Sequence, residues 1–149
     1  MNIRKTLSKE VVSLDLQGEN KEQVIEELLD LLVAAGKVSN RKAALKALWE
    51  REKKMSTGMQ NGIAIPHGKC DCVDSLAVAM GFHKTGIDFE SLDQQPAQFF
   101  VMTLSPANRT GPHIQFLSEV SRQLNNPAIR ERILNTTSVE AVIEILAGQ

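Results

Sequence analysis

Residues 97–104 read AQFFVMTL. Apart from Gln98 and Thr103 the run is apolar, and it lacks the alternation of a half-exposed strand. It predicts a central β-strand covered on both faces. Covering both faces takes helices, and the chain supplies their patterns. Val24, Ile25, Leu28, Leu29, Leu31, Leu32 and Ala35 share one helical face, opened by Asn20 with Gln23 three residues on and closed by Gly36. A second helix is expected from a Ser39 cap through Ala43, Ala44, Leu45, Ala47 and Leu48 to Lys53. A third runs from Pro112 to Leu124 with Ile114, Leu117, Val120 and Leu124 inward. Two more follow, from Asn126-Pro127 to Leu134 and over 138–147 behind a Thr137/Glu140 capping pattern. Further strands are expected in EVVSLDL (10–16), in Ile63–Ile65 and in DSLAVAMGF (74–82). This order predicts an α/β (α+β) fold: a single domain over 1–149, with a mixed sheet of four to five strands flanked by helices.

Charge narrows the partners. Lys plus Arg is 17 against 18 for Asp plus Glu, a balance that argues against nucleic acid. No apolar run approaches the roughly 18 residues of a membrane span, and MNIRKTLSKE lacks a secretory leader's apolar stretch. A cytoplasmic chain without direct membrane insertion is expected. Cys70 and Cys72 are one residue apart, where a disulfide would be strained, so reduced thiols are expected. His67, Cys70 and Cys72 together raise a rival reading, a metal-binding module. Structural zinc wants four ligands and a wider cysteine spacing, so this reading is the weaker one.

The chemistry concentrates around NGIAIPHGK (61–69). An apolar triplet stops at Pro66, His67 follows, and Gly68 comes next. A histidine at a strand end, entering a glycine-containing turn, is expected to reach solvent. His113 falls in the first turn of the helix after the long strand, and strand ends and helix starts converge on the rim where ligands bind in such sheets. Imidazole, with a pKa near about 6.5, is a good nucleophile at neutral pH and can take a phosphoryl group on one nitrogen. The other nitrogen must then keep its proton and find an acceptor. The added charge needs donors. His113 is one, and Arg51 is the better second because its planar fork matches a phosphoryl group. The first amides of His113's helix also favour an anion. His83, in GFHKTG, is read as solvent-facing without a role, Trp49 as core, and Arg109 as a solvated loop residue or a phosphoryl contact.

STGMQNGIAIPHGK (56–69) resembles the active-site signature of enzyme IIA domains of the bacterial phosphoenolpyruvate-dependent sugar phosphotransferase system, fructose/mannitol type. The matching residues are Ala64-Ile65-Pro66-His67-Gly68, the upstream pair Thr57-Gly58, Arg51-Glu52 on the preceding helix, and His113 in GPHIQFLSEVSRQL. The loop SPANRTGP departs from the acidic, small-residue run of many members. The resemblance implies a mixed sheet flanked by helices. It implies a phosphocarrier that accepts a phosphoryl group from the phosphohistidine of HPr on His67; family members carry it on Nε2, and the residues leave open which nitrogen serves here. The group then passes to an enzyme IIB domain, usually to a cysteine, serving a membrane permease. His67, His113 and Arg51 would be the site, with no metal or other cofactor. Met59 or Ile114 could shield it from water. The same resemblance admits a second job, that of the nitrogen-related branch, whose members bind other proteins according to phosphorylation state. Nothing in the residues names the sugar.

Overall fold

The computed structural model describes residues 3–108 and 111–148, with 111–113 by backbone alone. The AQFFVMTL run forms β5 (Ala97–Ser105), buried along its whole length except for half-buried Gln98. It lies in a mixed five-stranded sheet with β1 (Val12–Ser13), β2 (Ile63–Ala64), β3 (His67–Lys69) and β4 (Ala77–Ile87). β4 runs antiparallel to β5 and carries β1 in parallel on its far side. β2 and β3 both lie parallel to β5 along its other edge.

Around the sheet the described residues form α1 (Ile3–Thr6), α2 (Lys21–Ala34), α3 (Arg41–Lys54), α4 (Gly111–Leu124), α5 (Pro127–Asn135) and α6 (Val139–Leu146). The expected face of α2 is the one that packs: Val24, Ile25, Leu28, Leu29 and Leu32 are fully buried. Each such side chain stabilises the fold by roughly 1.5–3 kcal/mol through water exclusion. Asn20 caps α2 by accepting from the Gln23 amide at 2.9 Å.

Several expectations need correction. EVVSLDL holds a 3-10 turn at Lys9–Val11 and only two strand residues, Val12 and Ser13. Asn40 rather than Ser39 caps α3, accepting from Ala43, because the Ser39 hydroxyl donates to the Cys72 carbonyl instead. Ser138 rather than Thr137 caps α6, accepting from Ala141. On α4 Phe116 takes the inward place assigned to Ile114, which is 60% exposed. His83 is half-buried: its Nε2 donates to the Gly18 carbonyl at 2.9 Å, while Nδ1 accepts from the Gly86 amide at 3.0 Å.

The contact that places the later site is between α3 and β3. A Cβ on Gly68 would stand 3.1 Å from the Ala47 carbonyl carbon and 3.2 Å from the Leu48 nitrogen. Both are backbone atoms of a helix interior and cannot swing aside. A hydrogen at position 68 is what lets the strand lie on the helix. Gly68→Ala is therefore expected to destabilise the protein by roughly 1–3 kcal/mol, the usual cost of overpacking. Urea unfolding of the purified variant measures it.

Candidate functional site

The segment 63–69 is one run along β5, interrupted once. Ile63 faces Phe99 and His67 faces Thr103, four residues on in both strands, so the register survives the interruption. Pro66 has no amide hydrogen to give to a ladder, though its carbonyl still accepts from the Thr103 amide at 3.1 Å. Ile65 turns its polar groups elsewhere: its amide donates to the Thr57 carbonyl at 3.0 Å, and its carbonyl lies 2.8 Å from His67 Nδ1. His67 thus opens a short strand instead of ending one, and its ring is half-buried rather than fully exposed.

That last distance fixes the tautomer. A carbonyl oxygen only accepts, so Nδ1 carries the proton of the neutral ring. The ring lone pair is then on Nε2.

Arg51 sits one helical turn beyond Ala47, on the helix that lies against β3. Its guanidinium Nη1 donates to the Met55 carbonyl at 2.7 Å, which ties it to the loop connecting α3 with β2. Arg51 thus lies on the helix that backs β3 and is tied to the loop that leads to β2. The backbone of His113 lies in the first turn of α4, but its side chain and Arg109 fall outside the described residues. Met59 is partly exposed and, with Gln60, Ile63, Ile65, Ser121 and Asn125, lines a shallow cleft of about 190 Å³.

Glu52 and Thr57, named above only as motif matches, form a buried network beneath this loop. Glu52 is 5% exposed. Its carboxylate accepts from the Thr57 amide at 2.7 Å and from the Thr57 hydroxyl at 2.6 Å. Lys21 Nζ lies 2.7 Å from the same carboxylate and 4.8 Å from the Phe89 ring centroid. The Ser56 hydroxyl donates to the Phe89 carbonyl at 2.6 Å and accepts from the Gly58 amide. Gly58 is pressed so closely that a Cβ there would meet Ser91 Oγ at 2.6 Å. Glu52 was legible in principle: it continues the inward stripe of Ala44 and Leu48 at intervals of one turn, so a charge there had to be buried and paired.

The cysteines also differ from expectation. Cys70 and Cys72 are joined in a disulfide. The chain turns at Asp71 just past β3, which brings their Cα atoms to 5.1 Å, a separation a disulfide spans. Both sulfurs are bonded to each other, so this form offers no thiolate to the metal set of His67, Cys70 and Cys72. Among the described residues no group of three or more His, Cys, Asp or Glu side chains is arranged to hold a metal.

The family model for the phosphoenolpyruvate-dependent sugar phosphotransferase system, EIIA 2, matches residues 5–149. The chain belongs to that family. Enzyme IIA domains of this kind are phosphoryl carriers of a sugar phosphotransferase system, and that is what this enzyme IIA is. It is 44% identical to the fructose-specific EIIA component of Haloferax volcanii, covering 93% of this chain and 90% of that one. It is 38% identical to the fructose-specific EIIABC component of Bacillus subtilis, covering 98% of this chain but 23% of that longer protein. Its identity with the nitrogen regulatory protein of Klebsiella oxytoca is 31%, over 98% and 90% of the two chains. The fold matches the nitrogen regulatory IIA of Neisseria meningitidis with a TM-score of 0.83 at 29% identity, over 95% and 97% of the chains. It also matches the mannitol enzyme IIA of Escherichia coli in complex with phosphorylated mannitol enzyme IIB, with a TM-score of 0.82 at 28% identity, over 96% and 98%. No helix among the described residues is long and apolar enough to cross a membrane.

Two outcomes follow for this enzyme IIA. Glu52→Ala leaves the Thr57 amide and hydroxyl without their buried acceptor, while Lys21 keeps only exposed Glu90 at 3.1 Å, and the expected loss is roughly 1–3 kcal/mol of stability, read from the urea midpoint. Alkylation of the native protein without reductant is expected to leave both cysteines unmodified, and with reductant to label both, as intact mass reports.

Proposed function

We propose that His67 is the phosphoryl acceptor, that Nε2 is the atom that bonds phosphorus, and that the donor is phospho-HPr. The observation that carries this reading is the 2.8 Å bond from His67 Nδ1 to the Ile65 carbonyl. It gives Nδ1 its proton and leaves Nε2 with the lone pair, so the ring is set in the nucleophilic tautomer before the donor arrives. The Nε2 lone pair attacks phosphorus. The donor's phosphorus–nitrogen bond breaks and its electron pair returns to the donor imidazole. For onward transfer a cysteine thiolate of an enzyme IIB domain attacks, and the electron pair of the breaking bond returns to Nε2. Throughout both steps the Ile65 carbonyl balances the partial positive charge that the ring acquires at Nδ1.

Phosphoryl transfer is chiefly positioning and charge stabilisation. Arg51 supplies the guanidinium. His113, at the start of α4, supplies a second donor on the strength of the family resemblance. The proposed job is uptake of a sugar of the fructose/mannitol class through a IIB domain and its membrane permease. The 44% identity with a fructose-specific EIIA component supports this reading. The 31% identity with a nitrogen regulatory protein keeps a second one, phosphorylation-dependent binding of other proteins.

Incubation with phosphoenolpyruvate, enzyme I and HPr is expected to add one acid-labile phosphoryl group, and His67→Ala to abolish it. A His67→Ala protein that still accepts phosphate would overturn the assignment. Arg51→Ala and His113→Ala are each expected to slow acceptance or onward transfer at least about tenfold, equivalent to about 1.4 kcal/mol of barrier. A fructose- or mannitol-specific IIB that is phosphorylated by this protein supports the transport reading. If all such IIB domains are refused while unrelated proteins are bound in one phosphorylation state only, the regulatory reading stands.

A further inference from the structure

The geometry points to Glu52, with Thr57 and Lys21, as a positioning device that holds the His67 imidazole in its proton-on-Nδ1 tautomer. The inference rests on the proposed role of His67 and deepens it.

One line of hydrogen bonds runs from Lys21 to the His67 ring. Lys21 Nζ holds the Glu52 carboxylate at 2.7 Å. That carboxylate grips Thr57 by both its amide and its hydroxyl. The Thr57 carbonyl accepts from the Ile65 amide at 3.0 Å. The Ile65 carbonyl accepts from His67 Nδ1 at 2.8 Å. Each link orients the next, and the path starts in a carboxylate whose side chain is 1% exposed.

Burial makes this anchor stiff. An ionised carboxylate out of water must keep its donors, since every lost hydrogen bond there carries a full desolvation cost. Thr57 supplies two of those donors and Lys21 the third, so the loop cannot shift without uncovering the charge. Pro66 removes one way for the Ile65 peptide to be held by the ladder, because the residue beside it has no amide hydrogen. The orientation of the Ile65 carbonyl therefore depends on the loop as well as on β5. The neighbouring residue of the helix, Arg51, grips the same loop through Met55. The loop that carries the Thr57 carbonyl is thus also the one that anchors the guanidinium.

A residue that merely stabilised the fold would change the melting temperature and leave the ring alone. The test reads the ring. Full-length protein labelled with 15N, in wild-type, Thr57→Val, Thr57→Ser and Glu52→Gln forms, reports the tautomer of His67 through its two ring nitrogens by NMR. Acceptance from phospho-HPr is measured in parallel at varied HPr concentration. In folded Thr57→Val the signature of a single tautomer is expected to give way to a mixture. kcat is expected to fall about tenfold while KM for phospho-HPr stays within about twofold, as for a group acting on the reacting ring and not on docking. Thr57→Ser, which keeps the hydroxyl, restores both. Glu52→Gln follows Thr57→Val. Should it not fold, Thr57→Val alone decides. A folded Thr57→Val protein with the wild-type tautomer and wild-type kcat overturns the inference. The NMR reading needs no phosphorylation, so it still judges the clamp if His67→Ala shows that phosphate is accepted elsewhere.

Discussion

Everything at this site hangs from one edge of β5. The run 63–69 is short, and it holds a proline where a strand would want an amide. It keeps its place because β5 pairs with it on both sides of the break, in one register. Between the two paired pieces, Ile65 is freed from the ladder at its amide and carbonyl. Those two groups make the connections that matter: one to the loop behind, one to the His67 ring. The proline that interrupts the strand and the glycine that lets α3 lie against it give the imidazole a fixed orientation on an otherwise regular edge. That explains why this histidine stands between those two residues.

A buried ion pair beneath an active loop needs a reason, since a well-packed apolar substitute is often at least as stable. Here the Glu52 carboxylate does more than face Lys21. It carries two donors from a single loop residue, and the Lys21 ammonium also lies over the Phe89 ring, where the π face favours a cation. An apolar pair would fill the same space but would not dictate where the Thr57 amide points. The arrangement trades some stability for direction. The same logic accounts for the Thr57-Gly58 pair. Thr57 is the handle, and Gly58 is the residue small enough to pass Ser91.

The parts of the fold governed by periodicity were legible from the residues. AQFFVMTL read as a doubly covered strand and is one, and of the face expected for α2 Val24, Ile25, Leu28, Leu29 and Leu32 are fully buried while Leu31 and Ala35 are partly so. What failed were choices between neighbours with equal chemistry. Ser39 and Asn40 can both cap a helix, and a carbonyl 33 residues away decides between them. Ser138 displaces Thr137 in the same way. Ile114 and Phe116 compete for the interior and the larger ring wins. At the site, His67 and Arg51 were singled out by motif, but the proton on Nδ1 depends on a carbonyl two residues back that no spacing reveals. Glu52 lay in plain sight on the inward stripe of α3. The motif named it, but its burial was not foreseen, because its neighbours Arg51, Lys53 and Lys54 make that turn look solvated.

The mixed order of the sheet also bears on how the protein is made. β2, β3 and β4 all pair with β5, yet β5 is the last of the five to be synthesised. A chain emerging from the ribosome reaches residue 96 with His67, Arg51 and the buried Glu52 carboxylate already translated, and with no rail to hang them on. Until Ser105 is clear of the exit tunnel, only helical pieces and the short β1–β4 pairing are available to it. That edge of the sheet can therefore assemble only after β5 has been made.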